Sequence, residues 1–263
     1  MSASGWAHAR PNVAQDGPAI GPVGMADLRE AVRRGIADFL AAPTQLLALG
    51  ILYPAIALAA ARHAAGAGLL ELVYPLIAGL SLLGPVAALG LYEIGRRREA
   101  GHAVSWRDAF RVLRSPAVPQ VLGLRAVLFA ILLAWLASAL AIHAATLGDA
   151  SPDTPLAFAT AVLTTRAGLA MAILGHAVGL VFAGVVLGIS VISFPLLLDR
   201  GVSVATTVRA SMRLVRHSPL AMAAWGLFVA LSLAAASLLF FVGLAVVVAV
   251  LGHATWLLHR RAT

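Results

Sequence analysis

Between Arg216 and Arg260 the chain runs for 43 residues without a formal charge. A membrane-crossing helix needs about 20 predominantly apolar residues to bridge about 30 Å of hydrocarbon. The interval therefore holds two crossings, joined by a tight turn near Phe241-Val242-Gly243. Four further uncharged intervals reach spanning length: 23 residues from Asp38 to Arg62, 21 from Glu71 to Glu93, 23 from Arg125 to Asp149 and 32 from Arg166 to Asp199. The pattern predicts six transmembrane helices over 44–62, 70–94, 120–145, 170–198, 219–238 and 242–259. The long fourth interval requires a tilt, or an irregular stretch where Pro195 follows Ser193-Phe194.

Hydrophobic residues make up 61% of the 263 and charged residues only 11%, against roughly 25% charged in a soluble domain. At a mean hydropathy of +0.93, a globule of this size could not cover its apolar side chains with so few polar groups. The chain reads as all-α, a polytopic membrane helical bundle. It contains no cysteine, which excludes disulfides, thiol catalysis and cysteine-ligated metals. No apolar stretch in the first 30 residues resembles a signal peptide.

All 19 basic residues are arginine. With the N-terminus in the cytoplasm, sixteen of them fall in cytoplasmic segments and two, Arg62 and Arg166, on the opposite side; Arg125 lies within the third span near its inner end. This asymmetry obeys the positive-inside rule and puts both termini in the cytoplasm. It also accounts for the net charge of +8 without nucleic acid as a partner. Residues 1–24, rich in Gly, Pro and Ala, read as a disordered tail, and 25–261 as a single six-helix domain. In the outer loop, Asp153-Thr154-Pro155 offers a cap and an N1 proline for a short interfacial helix over Leu156–Leu163.

Each odd-numbered span follows a short helix of similar design. The first begins at Asp27, with Glu30 three residues on, and ends before Pro43; the second runs from Ser105 to Pro116, the third from Ser203 to Pro219. On the third, Arg209, Arg213 and Arg216 share one face, while Val204, Val208, Met212 and Val215 form an apolar stripe. The second carries Arg107, Arg111 and Arg114 beside Trp106, Phe110 and Leu113. Three cytoplasmic-side amphipathic helices of this kind lie in the interface, where each arginine near an anionic leaflet contributes about 1 kcal/mol. These six arginines are the candidate lipid-contacting residues. The inner ends of spans two and six also align, Tyr92 four residues before Arg96 and Trp256 four before Arg260. A threefold internal repeat of amphipathic helix plus hairpin would produce this pattern.

Signals for chemistry are sparse. Glu93 and Asp199 sit at inner ends beside Arg96 and Arg200, where solvated ion pairs account for them; alternatively Glu93 faces the bundle interior and handles a proton or cation. Arg125 can snorkel to the headgroups. His143, His176 and His253 lie at separate depths along their spans and read as interfacial or packing residues, so no cofactor and no metal is expected. Gly84-Pro85 is a break that could line a cavity with Glu93, Gly188 and Pro195. Gly175-x-x-x-Gly179 and Gly184-x-x-x-Gly188 predict close packing of span four. No H-E-x-x-H, G-x-S-x-G or Walker sequence occurs, which argues against an enzyme.

Several stretches together carry a resemblance. They are Leu83-Gly84-Pro85 through Gly90-Leu91-Tyr92-Glu93, Thr164-Thr165 with Gly168, Ile189-Ser190-Val191-Ile192-Ser193-Phe194-Pro195-Leu196-Leu197-Leu198-Asp199-Arg200, and Leu251-Gly252-His253-Ala254-Thr255-Trp256. Over roughly 25–261 the chain resembles the bacterial integral membrane protein family called domain of unknown function 2189. Arg166 and Ala249 stand where that pattern has proline. The resemblance implies a bacterial inner-membrane location and brings no activity. The reading is a non-catalytic envelope component that binds anionic lipid headgroups or a membrane protein partner. The alternative is a small transporter or channel for a solute or ion.

Overall fold

Three helices long and apolar enough to cross a membrane stand among the described residues: Val118–Thr146, Arg166–Arg200 and Pro219–Ala236. The structure, a computed structural model, describes residues 18–41, 115–148, 154–238 and 242–263 continuously, and between them only positions 58, 59, 62, 66, 75, 92, 93, 96, 97 and 100–102. The expected first span, most of the second and the amphipathic helix from Ser105 lie outside the described residues. The described elements are helical: α1 (Met25–Ala41), α2 (Val118–Thr146), α3 (Pro155–Thr164), α4 (Arg166–Ser190), α5 (Ser193–Arg200), α6 (Val204–His217), α7 (Pro219–Leu238) and α8 (Val242–Ala262).

Local sequence explains most boundaries. Thr154 caps α3, its Oγ1 accepting from the Ala157 N–H at 3.3 Å, with Pro155 as the first helical residue. Thr165 then makes the α3–α4 corner, accepting from the Gly168 N–H at 2.9 Å while its hydroxyl donates to the Ala161 carbonyl at 2.8 Å. The apolar helix Arg166–Arg200 breaks at Val191-Ile192. Pro195 has no N–H to give the Val191 carbonyl, and the ladder resumes when Leu196 N–H donates to Ile192. Gly201, at φ +61°, ends α5 in the left-handed region. Ser203 caps α6 through its Oγ, which accepts from the Thr206 N–H.

Large apolar side chains on α2, α4 and α7 face outward; Phe129, Leu133, Ile173, Leu180, Leu220 and Leu227 are exposed. Such surfaces suit hydrocarbon. The described interior has two parts. Around α1, α6, α7 and α8 pack Leu28, Leu214, Met222, Trp225 and Leu258. Around α2 and α5 pack Leu124, Leu128, Phe194, Leu197 and Trp256. Close helix approaches occur at small residues. Gly179 lies under the Trp135 indole, and Gly226 meets Leu187 where α7 crosses α4. The Trp135 indole N–H donates to the Pro75 carbonyl at 2.9 Å.

Three features depart from the sequence expectations. First, α1 is not a separate amphipathic helix: it runs antiparallel along α8. Gly21 N–H donates to the Ala262 carbonyl, Asp27 pairs with Arg261, and Gly35 sits against Val250 and Ala254. That covers about 18 Å of α8 at 1.5 Å per residue. The cause is the small-residue face of Ala31 and Gly35, both buried, which lets the backbones touch. Second, the stretch read as a disordered tail is anchored before Met25: Val23 is buried and its N–H donates to Ser218 Oγ at 2.8 Å. Third, α6 buries Thr206, Thr207, Ala210, Ser211 and Leu214, while Met212 of the expected apolar stripe is exposed. The buried face is turned by about one residue, or about 100°, because small side chains allow α6 to settle onto α4 and α5. Of the glycine pairs, Gly179 alone is in close contact; a methyl group at Gly175, Gly184 or Gly188 would meet nothing within 4 Å.

Candidate functional site at the arginine-rich helix ends

Tyr92 and Trp256, the two aromatics that align four residues before an arginine, meet in space. Their rings stack with centroids 6.4 Å apart and planes 28° from parallel. Tyr92 is hydrogen-bonded to the side chain of Thr255, whose hydroxyl donates to the Leu251 carbonyl at 2.7 Å. A spacing of four residues puts each aromatic one helical turn below its arginine. The rings therefore fill the space between segment ends while the guanidinium groups stand outside.

Two carboxylates lie beneath those guanidinium groups. Glu93 takes the Arg96 fork on both oxygens, at 2.9 Å from Nε and 2.7 Å from Nη2, a bidentate geometry with strong charge-assisted bonds. The pair is not the solvated one expected: the Glu93 side chain is 7% exposed and that of Arg96 is 47% exposed. Asp199 Oδ2 gathers His259 Nε2 at 3.3 Å, Arg200 Nε at 3.4 Å and Arg260 Nη1 at 3.7 Å. Here too sequence neighbourhood suggested Arg200 alone. His259, wholly buried, was missed, as was the convergence of Arg260. The available signal was that His259 lies three residues beyond Trp256, on the same face of α8, and their rings are 5.7 Å apart. Together these contacts tie Tyr92, Glu93 and Arg96 to each other and to α8, and α5 to α8, at one end of the bundle, with acid inside and base outside.

The same end carries the exposed arginines of α6. Arg209, Arg213 and Arg216 lie away from its buried face; Arg209 Nε donates to the Ala205 carbonyl at 3.3 Å. At the clasp between α1 and α8, Asp27 accepts from the Gly24 N–H at 2.9 Å and from Arg261 Nε at 2.7 Å. These two contacts, the backbone one first, hold its carboxyl below the usual aspartate range. Glu30, gripped by Arg33 and then Arg34, is lowered to about 2.

Other residues singled out in the sequence separate. Arg107, Arg111, Arg114, Gly84 and Pro85 lie outside the described residues. Pro195 is buried within α5. Glu93 is engaged by Arg96, and the Gly188 position has open space beside it. His143 packs against the Phe158 ring at 6.4 Å, and buried His253 has Nδ1 3.8 Å from Asp38 Oδ2. Among the described residues, no three His, Cys, Asp or Glu side chains are grouped to hold a metal.

No curated protein and no solved structure matches the chain. The family match covers 73–199, narrower than the resemblance over 25–261; it takes in the α3–α4 corner and the break between α4 and α5 but not α8. Over that stretch, residues 73–199, the chain matches the family described as Predicted integral membrane protein (DUF2189).

Proposed function

We propose that the chain is a non-catalytic component of a bacterial cytoplasmic (inner) membrane that binds anionic lipid headgroups through its arginine-bearing helix ends. It crosses six times and keeps both termini in the cytoplasm. The observation that carries this reading is the orientation of α6: its small polar face is buried, leaving Arg209, Arg213 and Arg216 exposed at the end where the chain's N-terminal segment meets Ala262. Each such arginine near an anionic leaflet contributes about 1 kcal/mol. The hydrogen bond from Gly21 to Ala262 supports placing both termini on one side. The stacking of Tyr92 on Trp256 supports the repeat reading, because aligned positions of two units meet. Transport is less well supported: Glu93 is engaged by Arg96, and Pro195 is packed in the interior.

The test is lipid enrichment around full-length protein in nanodiscs of mixed phosphatidylcholine and phosphatidylglycerol. Replacing Arg209, Arg213 and Arg216 by glutamine should lower phosphatidylglycerol enrichment; equal enrichment in variant and parent removes the reading. A reporter fused after Thr263 should be cytoplasmic, and its appearance on the other side overturns the six-span topology.

A further inference from the structure

We infer that α3 is an apolar wedge inserted among the acyl chains of one membrane leaflet, the leaflet opposite the arginine-rich helix ends. From the corner at Thr165, α4 carries the chain about 36 Å away over Arg166–Ser190 before α5 reaches Arg200. α3 and Arg200 therefore stand at opposite ends of that helix. The inference goes beyond the headgroup reading, because it concerns a different end and a different chemistry, and it holds whichever side of the membrane that end faces. It rests on α2 and α4 crossing the membrane.

A helix that lies in the interface needs a polar face for headgroups and water, and α3 has none. No residue of Pro155–Thr164 is charged, and none is buried. Phe158, Ala161 and Val162 form its half-buried side. Phe158 packs on His143 near the end of α2, and Ala161 and Val162 meet Gly168 of α4. Leu156, Ala159, Thr160 and Leu163 share the opposite side at helical spacing; the two leucines are 80% and 71% exposed. The hydroxyl groups do not make that side polar, because they are spent inside the helix. Thr160 donates to the Leu156 carbonyl at 2.9 Å and Thr164 to the Thr160 carbonyl at 2.7 Å. At the N-terminus, Pro155 has no N–H to expose and the Ala157 N–H is taken by Thr154.

The surroundings select the occupant. Leaving Leu156 and Leu163 in water forfeits the gain from removing apolar surface. Directly after Gly168, Leu169 and Ile173 begin the exposed side of α4, and Leu140 is exposed near the end of α2. The outer side of α3 thus continues the surfaces that both crossings turn to hydrocarbon. Hydroxyl groups already bonded within the helix suit a medium that offers no hydrogen-bond partner, whereas a protein partner would find no donor there to hold. Ten residues make a helix of about 15 Å, half of the roughly 30 Å of hydrocarbon, so α3 fits inside a single leaflet.

The chain contains no cysteine, so one introduced thiol can be labelled with no other change. Full-length Leu156→Cys, Ala159→Cys and Leu163→Cys variants are spin-labelled in phosphatidylcholine vesicles, which keeps the result independent of anionic headgroups. Collisions of the nitroxide with oxygen, which concentrates in hydrocarbon, are compared with collisions with a water-soluble nickel chelate. Leu133→Cys on α2 and Ile173→Cys on α4, both exposed positions, are the hydrocarbon references, and Thr263→Cys, beyond α8, is the aqueous one. All three α3 labels should favour oxygen as the hydrocarbon references do. Because the three side chains are exposed, none is needed for packing, and three positions guard against one variant that fails to fold. Labels on α3 that favour the nickel chelate, while those at Leu133 and Ile173 favour oxygen, overturn the insertion alone. Labels on α3 shielded from both reagents mean that a protein, a second copy or another chain, covers the face, and overturn it as well. A preference for the nickel chelate at Leu133 and Ile173 overturns the crossings and the insertion together.

Discussion

Gly35 of α1 lies so close to Val250 of α8 that a methyl group on it would stand 2.7 Å from the Val250 carbonyl oxygen and 3.2 Å from the Ala254 methyl group. The obstacle is backbone, which cannot rotate aside. Gly35→Ala should therefore lower stability by about 1–3 kcal/mol, the usual cost of overpacking, despite alanine's better helix propensity. Thermal unfolding in detergent measures it, with protease sensitivity of residues 18–41 as the local readout. A variant as stable and as protected as the parent would mean that α1 is not seated on α8.

The Glu93–Arg96 pair is asymmetric, and its two members should not be equally important. Arg96 is nearly half exposed and can turn to water when Glu93 is changed, so Glu93→Gln should cost about 1–2 kcal/mol. Arg96→Gln strands a buried carboxylate and should cost about 3–5 kcal/mol. Denaturant unfolding of both variants decides it. Equal losses would contradict the burial of Glu93.

Features legible in the sequence had local causes. Thr154-Pro155 announces the start of α3, and Pro195 announces the break between α4 and α5, because a cap and a missing N–H act within one turn. The seat of α1 on α8 was hidden because Ala31, Gly35 and Ala254 carry no hydropathy signal when the contact depends on smallness. The same physics misdirects a reading of α6: Val208 and Met212 look like the buried stripe, yet membrane packing selects Thr207, Ala210 and Ser211. At the helix ends, Asp199 and His259 are 60 residues apart. Only the folded packing of α5 on α8 makes them partners.

Gly168 at the α3–α4 corner has no room for a side chain: a methyl group there would collide with the Ala161 carbonyl and the Val162 backbone. Gly175, two turns along α4, would place the same methyl group in open space. Gly168→Ala should lower the unfolding midpoint and release α3 from α4, at a cost of about 1–3 kcal/mol. Gly175→Ala should leave the midpoint unchanged or raise it slightly through helix propensity. The opposite ordering would refute the corner geometry. Thr165→Val tests the cap itself, with a loss of about 1 kcal/mol.

Acid should open the clasp between α1 and α8. Asp27 is held below the ordinary aspartate value of about 3.9 by the Gly24 N–H and then by Arg261. A group whose folded pKa is depressed contributes stability above its unfolded pKa and loses it as pH falls through the folded value. The contribution of Asp27 is thus complete at neutral pH and disappears only on acidification past the aspartate range. Amide hydrogen exchange of residues 18–28, corrected for intrinsic pH dependence, should stay protected from neutral pH to about 4 and rise below it. Asp27→Asn should exchange faster at neutral pH and lose much of the acid response; Glu30, also depressed, supplies what remains. Arg261→Gln should move the midpoint upward toward the unfolded value, since it removes the second of the two causes. If protection in the parent were flat through acid, or if Asp27→Asn tracked the parent, then Asp27 would not be what fastens α1 to the end of α8.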